Sequence, residues 1–313
     1  VSEWPQIRAE LNGRSYKPAG YFYAVDGTSY AGAPAPPHPI TDNGVGYWSG
    51  FSSGMVGGLT NVCDGLWVGR CIGYPAVTVP MWPSVQTGRQ NLVSQIRADV
   101  AAYTARYGSL DGFAMCMAGY SQGSMVTDQV WVLDILPEDG VLHDVLPHVY
   151  RSYQFGHIFR TPGIAHGNAL IGLPESIMQD GVQTGGIGTG QDLTAAQTNH
   201  VAPDGKPVVY SCANPGDLYT CCPTGTNPWT DPAPEAKVGD LFWQVVKQPT
   251  LEDILSTLSV VMELEPAVIE LWNTLDFFAQ GTNAPHYHYY PQMDACITDA
   301  YQLGMALPHE LGS

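Results

Sequence analysis

The sequence predicts an α/β fold, a mostly parallel sheet with helices on both faces. Two observations carry that prediction. Short strand-like runs alternate with longer stretches whose apolar residues recur every three or four positions, the order expected when helices cross between parallel strands. In addition, Phe113–Ala118 is apolar on both faces, as a strand in the middle of such a sheet must be. A chain of 313 residues without internal repeats or a low-complexity linker then reads as one domain, residues 1–313.

Taken in order, residues 20–25 (GYFYAV) read as a strand and Asp26-Gly27-Thr28-Ser29 as a sharp turn. A Gly/Pro-rich loop is expected over residues 31–65, then a short second strand at 76–80 running into Met81-Trp82-Pro83-Ser84. From Val85 to Tyr107 the spacing is helical, with Leu92, Val93, Ile96, Val100 and Tyr103 on one face and Gly108 as the stop. After the 113–118 strand, residues 123–135 return to helix, with Met125, Val126, Val130 and Leu133 turned inward. Tyr153–Phe155 and Val208–Tyr210 are further strand candidates.

Residues 250–280 read as a helical pair. Thr250 and Asp253 mark the first start, followed by Leu251, Ile254, Leu255, Leu258 and Met262 along one side. Pro266 opens the second helix, with Val268, Leu271, Trp272, Leu275 and Phe278 at helical spacing and Gly281 closing it. This stripe can pack on the sheet, or it can form an apolar cap beside a lipid-accepting cleft. The second reading makes Leu258, Met262, Leu271 and Leu275 candidates for substrate contact.

Composition narrows the partners. With 12 Lys+Arg against 29 Asp+Glu, the net charge of −17 repels phosphate backbones and anionic membrane surfaces, which argues against nucleic acid. A neutral polymer remains open as a substrate. No run approaches the roughly 20 apolar residues of a membrane span, and no signal peptide is visible at the start. Cys63 with Cys71 and Cys212 with Cys221 each flank a short loop, so each pair suits either a disulfide or two packed thiols; Cys116 reads as core. Cysteine spacing fits no zinc pattern even with His286 and His288 added, and no metal or cofactor is expected.

The chemistry centres on Gly119-Tyr120-Ser121-Gln122-Gly123, a G-x-S-x-G match. In that motif a tight strand-to-helix turn exposes a serine oxygen, and flanking side chains larger than hydrogen would collide. Gly50-Phe51-Ser52-Ser53-Gly54 matches too, so context must decide. Ser121 follows an apolar strand and precedes an amphipathic helix, whereas Ser52 sits among glycines with no strand before it. A serine nucleophile needs a base, and the base needs a carboxylate to hold its tautomer, in the chain order Ser, Asp/Glu, His. Asp217, in the turn-rich segment after the 208–210 strand, is the candidate acid. His286 and His288 are both candidate bases, and order alone does not separate them; His309 lacks strand context. Backbone N–H groups of Gln122 and of the turn near Thr28 are the expected oxyanion donors.

At this point the chain resembles a known family, the lysin B esterases of mycobacteriophages, which are related to cutinases. The resemblance lies in Tyr74-Pro-Ala, Pro80-Met-Trp-Pro-Ser-Val85, Phe113-Ala-Met, Ala118-Gly-Tyr-Ser-Gln-Gly123, Gly216-Asp-Leu-Tyr219 and Pro285-His286 with a following Tyr-Pro. It implies an α/β-hydrolase fold and hydrolysis of the ester joining mycolic acids to arabinogalactan, by a phage product made in the host cytoplasm and acting on the host envelope. It carries the triad over as Ser121, Asp217 and His286, and it makes residues 235–280 a helical insertion between acid and histidine. Asp26 stands where the family's turn usually has histidine. The spacing from His286 to Tyr-Pro is one residue short, and the segment 31–73 is long. With nineteen residues before the first strand, no peptidoglycan-binding module is expected. Competing readings are a general cutinase-like lipase and a non-catalytic wall-binding protein on the same fold.

Overall fold

In the computed structural model, residues 18–28, 50–78, 80–179, 181–188, 191–224, 237–250, 252, 253, 257 and 284–307 are described. Their strands are β1 (Gly20–Val25), β2 (Trp67–Cys71), β3 (Met115–Tyr120), β4 (Val149–Phe155), β5 (Met178–Gln179), β6 (Val182–Gly185), β7 (Val209–Cys212) and β8 (Cys222–Pro223). The main sheet runs β2-β1-β3-β4-β7, with every neighbouring pair parallel. The chain leaves β1 to one side for β2 and resumes on the other side at β3. A crevice opens at the carboxyl ends of strands where such an order reverses, and open α/β sheets bind ligands there. Strands β5, β6 and β8 form a small antiparallel sheet.

The helices are α1 (Phe51–Val62), α2 (Met81–Tyr107), α3 (Gln122–Val130), α4 (His166–Ala169), α5 (Ala195–Thr198), α6 (Lys237–Val246) and α7 (Tyr290–Ala306). Strand side chains alternate between two cores. Tyr23, Val25, Met115 and Met117 join Leu92 and Ile96 of α2 and Met125 and Val126 of α3. Phe22, Ala24, Cys116 and Ala118 join Met55 and Val56 of α1 and Ile297 and Ala300 of α7. Every residue of β3 is buried, which accounts for its unbroken apolar run. The helix stop falls at Gly108, whose left-handed φ of 86° ends α2 while its N–H bonds Thr104 O at 2.8 Å.

Several expectations need correction. The described residues of 76–80 contain no strand; Val77 N is instead bonded to a side chain, Ser84 Oγ, at 3.3 Å. The second strand is β2, an edge strand whose Gly69 and Arg70 obscure its pattern. The expected loop 31–65 contains α1, in which Gly54, Gly57 and Gly58 depress helix propensity while Ile297 packs onto Gly58. Leu133 is 45% exposed because the helix widens into a π turn at Trp131–Ile135, which rotates it off the inner face. All seven cysteines are buried thiols, so neither candidate disulfide is made. Cys212 faces Cys296, with the sulfurs 3.9 Å apart, rather than Cys221. The start at Thr250 is present, with Asp253 N bonded to Thr250 Oγ1 at 3.1 Å. Leu258, Met262, Leu271 and Leu275 lie outside the described residues. Among the described residues, no helix is long and apolar enough to cross a membrane.

Candidate active site

Strand β3 ends at Tyr120 and α3 begins at Gln122, so Ser121 alone makes the turn, with φ 52° and ψ −121°. A left-handed φ at a residue with a side chain costs roughly 1–3 kcal/mol and survives only where neighbours hold it. They do so here. Ser121 N donates to Phe155 O at 2.9 Å, and Ser124 Oγ donates to Ser121 O at 2.6 Å. A Cβ on Gly123 would collide with Val25 O, so the elbow can close onto β1 only without a side chain there. The result puts Ser121 at the amino end of α3, where the first backbone N–H groups lack helical partners. Ser52 is the second residue of α1 and fully buried, at no strand end.

Asp217 lies in a tight turn after β7, with its N–H on Asn214 O at 3.0 Å. Its two carboxylate oxygens are used differently. Oδ1 accepts the Tyr219 N–H at 3.0 Å, while Oδ2 meets His286 Nδ1 at 2.9 Å and accepts the Tyr289 hydroxyl at 2.5 Å. Both Asp217 (0% exposed) and His286 (1%) are withdrawn from solvent, which strengthens such charge-assisted bonds. Burial, then the Asp217 charge, pushes the Tyr289 and Tyr219 phenols well above their usual range. Tyr289 is therefore a neutral donor at any working pH.

Three contacts fix the His286 ring. Tyr120 stacks on it with centroids 5.2 Å apart, the Tyr219 ring stands 4.9 Å away, and the Gly156 backbone presses so close that a Cβ would strike Cε1. Tyr120 OH also donates to His286 O at 3.1 Å. Because Tyr120 precedes Ser121 and Gly156 follows the carbonyl that binds Ser121 N, these contacts gather Ser121, His286 and Asp217 at one end of the sheet. His288 is elsewhere. Pro285–Tyr287 is a 3₁₀ turn, not an extended segment, so residues two apart diverge. His288 is exposed; its N–H donates to Pro285 O at 3.1 Å and its carbonyl accepts from Asn214 Nδ2 at 2.9 Å.

The turn after β1 closes the other side. Gly27 lies against Ser121, with a Cβ there 2.8 Å from Ser121 Cβ, and half-buried Thr28 follows it. Asp26 serves the fold instead. Its carboxylate accepts the Ser53 N–H at 3.2 Å and the Ser53 hydroxyl, capping the amino end of α1. The Gln122 side chain donates to Val77 O at 2.8 Å and accepts from Ser84 Oγ at 3.1 Å, tying the Pro-Met-Trp-Pro-Ser segment to the elbow. Helix α6 reaches the same rim. Phe242 packs on Tyr219, and Trp243 meets Trp82 with centroids 5.1 Å apart. Sequence reasoning missed Tyr120, Tyr219 and Tyr289, since their roles depend on partners far along the chain; the Tyr-rich run after His286 was the one available hint.

No family model matches the chain. Endolysin B of Mycobacterium phage D29 is 39% identical over 99 residues, 31% of this chain and 36% of that protein. Endolysin B of Mycobacterium phage L5 is 37% identical over 99 residues, again 31% and 36%. The chain thus aligns with about a third of the length of these curated relatives. The crystal structure of lysin B from mycobacteriophage D29 is similar over 88% of this chain and 98% of its own, with a TM-score of 0.56 and 24% identity. The chain accordingly has the α/β-hydrolase fold expected from its sequence.

Proposed function

We propose that this protein is a serine carboxylic-ester hydrolase in which Ser121 is the nucleophile, His286 the base and Asp217 the residue that orients it. One observation carries the reading: a strained serine at a strand-to-helix elbow follows Tyr120, whose ring stacks on a buried histidine that is hydrogen bonded to a buried carboxylate. Asp217 holds Nδ1, which leaves Nε2 of His286 to take the Ser121 proton as Oγ attacks the ester carbonyl. The tetrahedral oxyanion is received by the N–H groups of Gln122 and Thr28. The alcohol departs with the proton from His286, and water, activated by the same imidazole, releases the acid from Ser121.

The substrate we propose is the ester between mycolic acids and arabinogalactan, cleaved in the envelope of the host by a phage product made in the host cytoplasm. Similarity to the mycobacteriophage endolysins supports this, as does a strongly acidic chain that suits an uncharged lipid–polysaccharide better than an anionic one. The aromatic rim of Trp82 and Trp243 offers apolar surface to an acyl chain. Hydrolysis of p-nitrophenyl butyrate by wild type, Ser121→Ala and His286→Ala, followed by wild type on mycolylarabinogalactan, tests both levels. Each substitution should cost about 10⁴-fold or more in kcat. Ser121→Ala keeping over a tenth of wild-type activity would sink the nucleophile. Cleavage of the small ester without mycolic acid release would leave a cutinase-like lipase instead.

A further inference from the structure

Beneath the site lies a second set of acid, imidazole and hydroxyl. His157 is fully buried, with Nε2 2.6 Å from Asp128 Oδ2 and Nδ1 2.7 Å from Ser211 Oγ. Asp128 and Ser211 are buried as well, so this set is closed to substrate. Its members come from the elements that carry the candidate active site. Asp128 is on α3, seven residues after Ser121, or two helical turns along the same face. His157 directly follows Gly156, against which the His286 ring rests. Ser211 is on β7, which leads into the Asp217 turn.

We propose that His157 is a positioning residue for Ser121 and His286, fixing the gap between the nucleophile helix and the Gly156 backbone beneath the His286 ring. This rests on the triad assignment given above. The inner face of α3 is otherwise fastened to β4 and its loop by directional bonds: Thr127 Oγ1 to Gln154 Oε1 at 3.1 Å, and Ile158 N to Ser124 Oγ at 3.2 Å. Apolar packing tolerates sliding, whereas short hydrogen bonds with fixed angles set position. Histidine suits this role because one rigid ring offers a nitrogen at each end. With a proton on Nε2 the ring donates to Asp128, and with one on the carboxyl it accepts, so the contact is a hydrogen bond with the proton on either group. Burial pushes the Asp128 carboxyl up and the neighbouring imidazole pulls it back, as expected of a mutually dependent pair.

The test compares His157→Gln, Asp128→Asn and Ser211→Ala by kcat and KM on p-nitrophenyl butyrate, and by the low-field proton resonance of His286 Nδ1–H, identified by its loss in His286→Gln. Gln keeps a donor toward Asp128 but loses Ser211. A small displacement of reacting groups should lower kcat about tenfold, with KM within about twofold, and shift or broaden the His286 signal. Ser211→Ala removes a single oxygen and should give the same pattern, weaker, even if His157 variants fail to fold. Folded His157→Gln or Ser211→Ala with wild-type kcat and an unmoved His286 signal would overturn the proposal. Wild type without turnover would defeat the triad assignment, and the His286 signal would then decide the positioning role alone.

Discussion

Tyr289 places a second donor on the carboxylate oxygen that His286 uses. Removing only its hydroxyl, in Tyr289→Phe, withdraws a bond to a buried charge worth about 1.5–3 kcal/mol. The carboxylate then holds the His286 ring less firmly, so kcat on p-nitrophenyl butyrate should fall several-fold. An unchanged kcat in folded Tyr289→Phe would show that Tyr289 only fills space. His288→Ala should retain activity within about twofold, since that side chain is exposed. At this scale strand–turn context marked Ser121 and Asp217 as candidates in the sequence, while the histidines stayed ambiguous. Choosing between them needed the 3₁₀ turn, which an assumed extended segment hides. The tyrosines were illegible because Tyr289 and Asp217 meet 72 residues apart.

Helix α1 shows how one element depends on a residue outside it. Its amino end is closed by Asp26 at the end of β1, not by Gly50 at its own cap position, which makes no side-chain cap bond. Asp26→Ala should therefore destabilise the protein by about 0.5–2 kcal/mol, read as a lower midpoint in denaturant, and Asp26→Asn should restore part of that. An unchanged midpoint in Asp26→Ala would show that the helix does not depend on this cap. The family resemblance marks Asp26 as a departure; the reason for it lies in a helix the sequence did not reveal. Strong amphipathic stretches such as α2 were readable. Glycine-rich α1 and the polar edge strand β2 were not, because tertiary contacts with α7 and β1 replace local propensity. Likewise, the polar inner face of α3 escaped a reading that weighs only apolar spacing.

Among the described residues, the phenols of Tyr23, Tyr74, Tyr153, Tyr219 and Tyr289 are held well above their usual range, in every case first by burial. In the unfolded chain they titrate near pH 10. Below that pH both states hold the proton and stability is intact. Above it the unfolded state releases protons that the folded state keeps, so stability falls as pH rises toward the folded values. Each phenol that keeps its proton in the folded state steepens that fall, so the five act together against a marginal total stability. Unfolding should set in within about one or two units above pH 10, seen by circular dichroism. A denaturant midpoint unchanged between pH 9 and 11.5 would contradict this. The sheet class was the most legible feature because alternation and the apolar β3 run are properties of the whole pattern.

The central claim, that Ser121 is activated by the His286–Asp217 pair, is tested most directly by labelling with a fluorophosphonate and mapping the adduct by mass spectrometry. Activation of this kind predicts one stoichiometric adduct on the peptide containing Ser121, lost in Ser121→Ala and at least about a hundredfold slower in His286→Ala. No adduct on the folded wild type, an adduct on Ser52, or undiminished labelling of His286→Ala would contradict it.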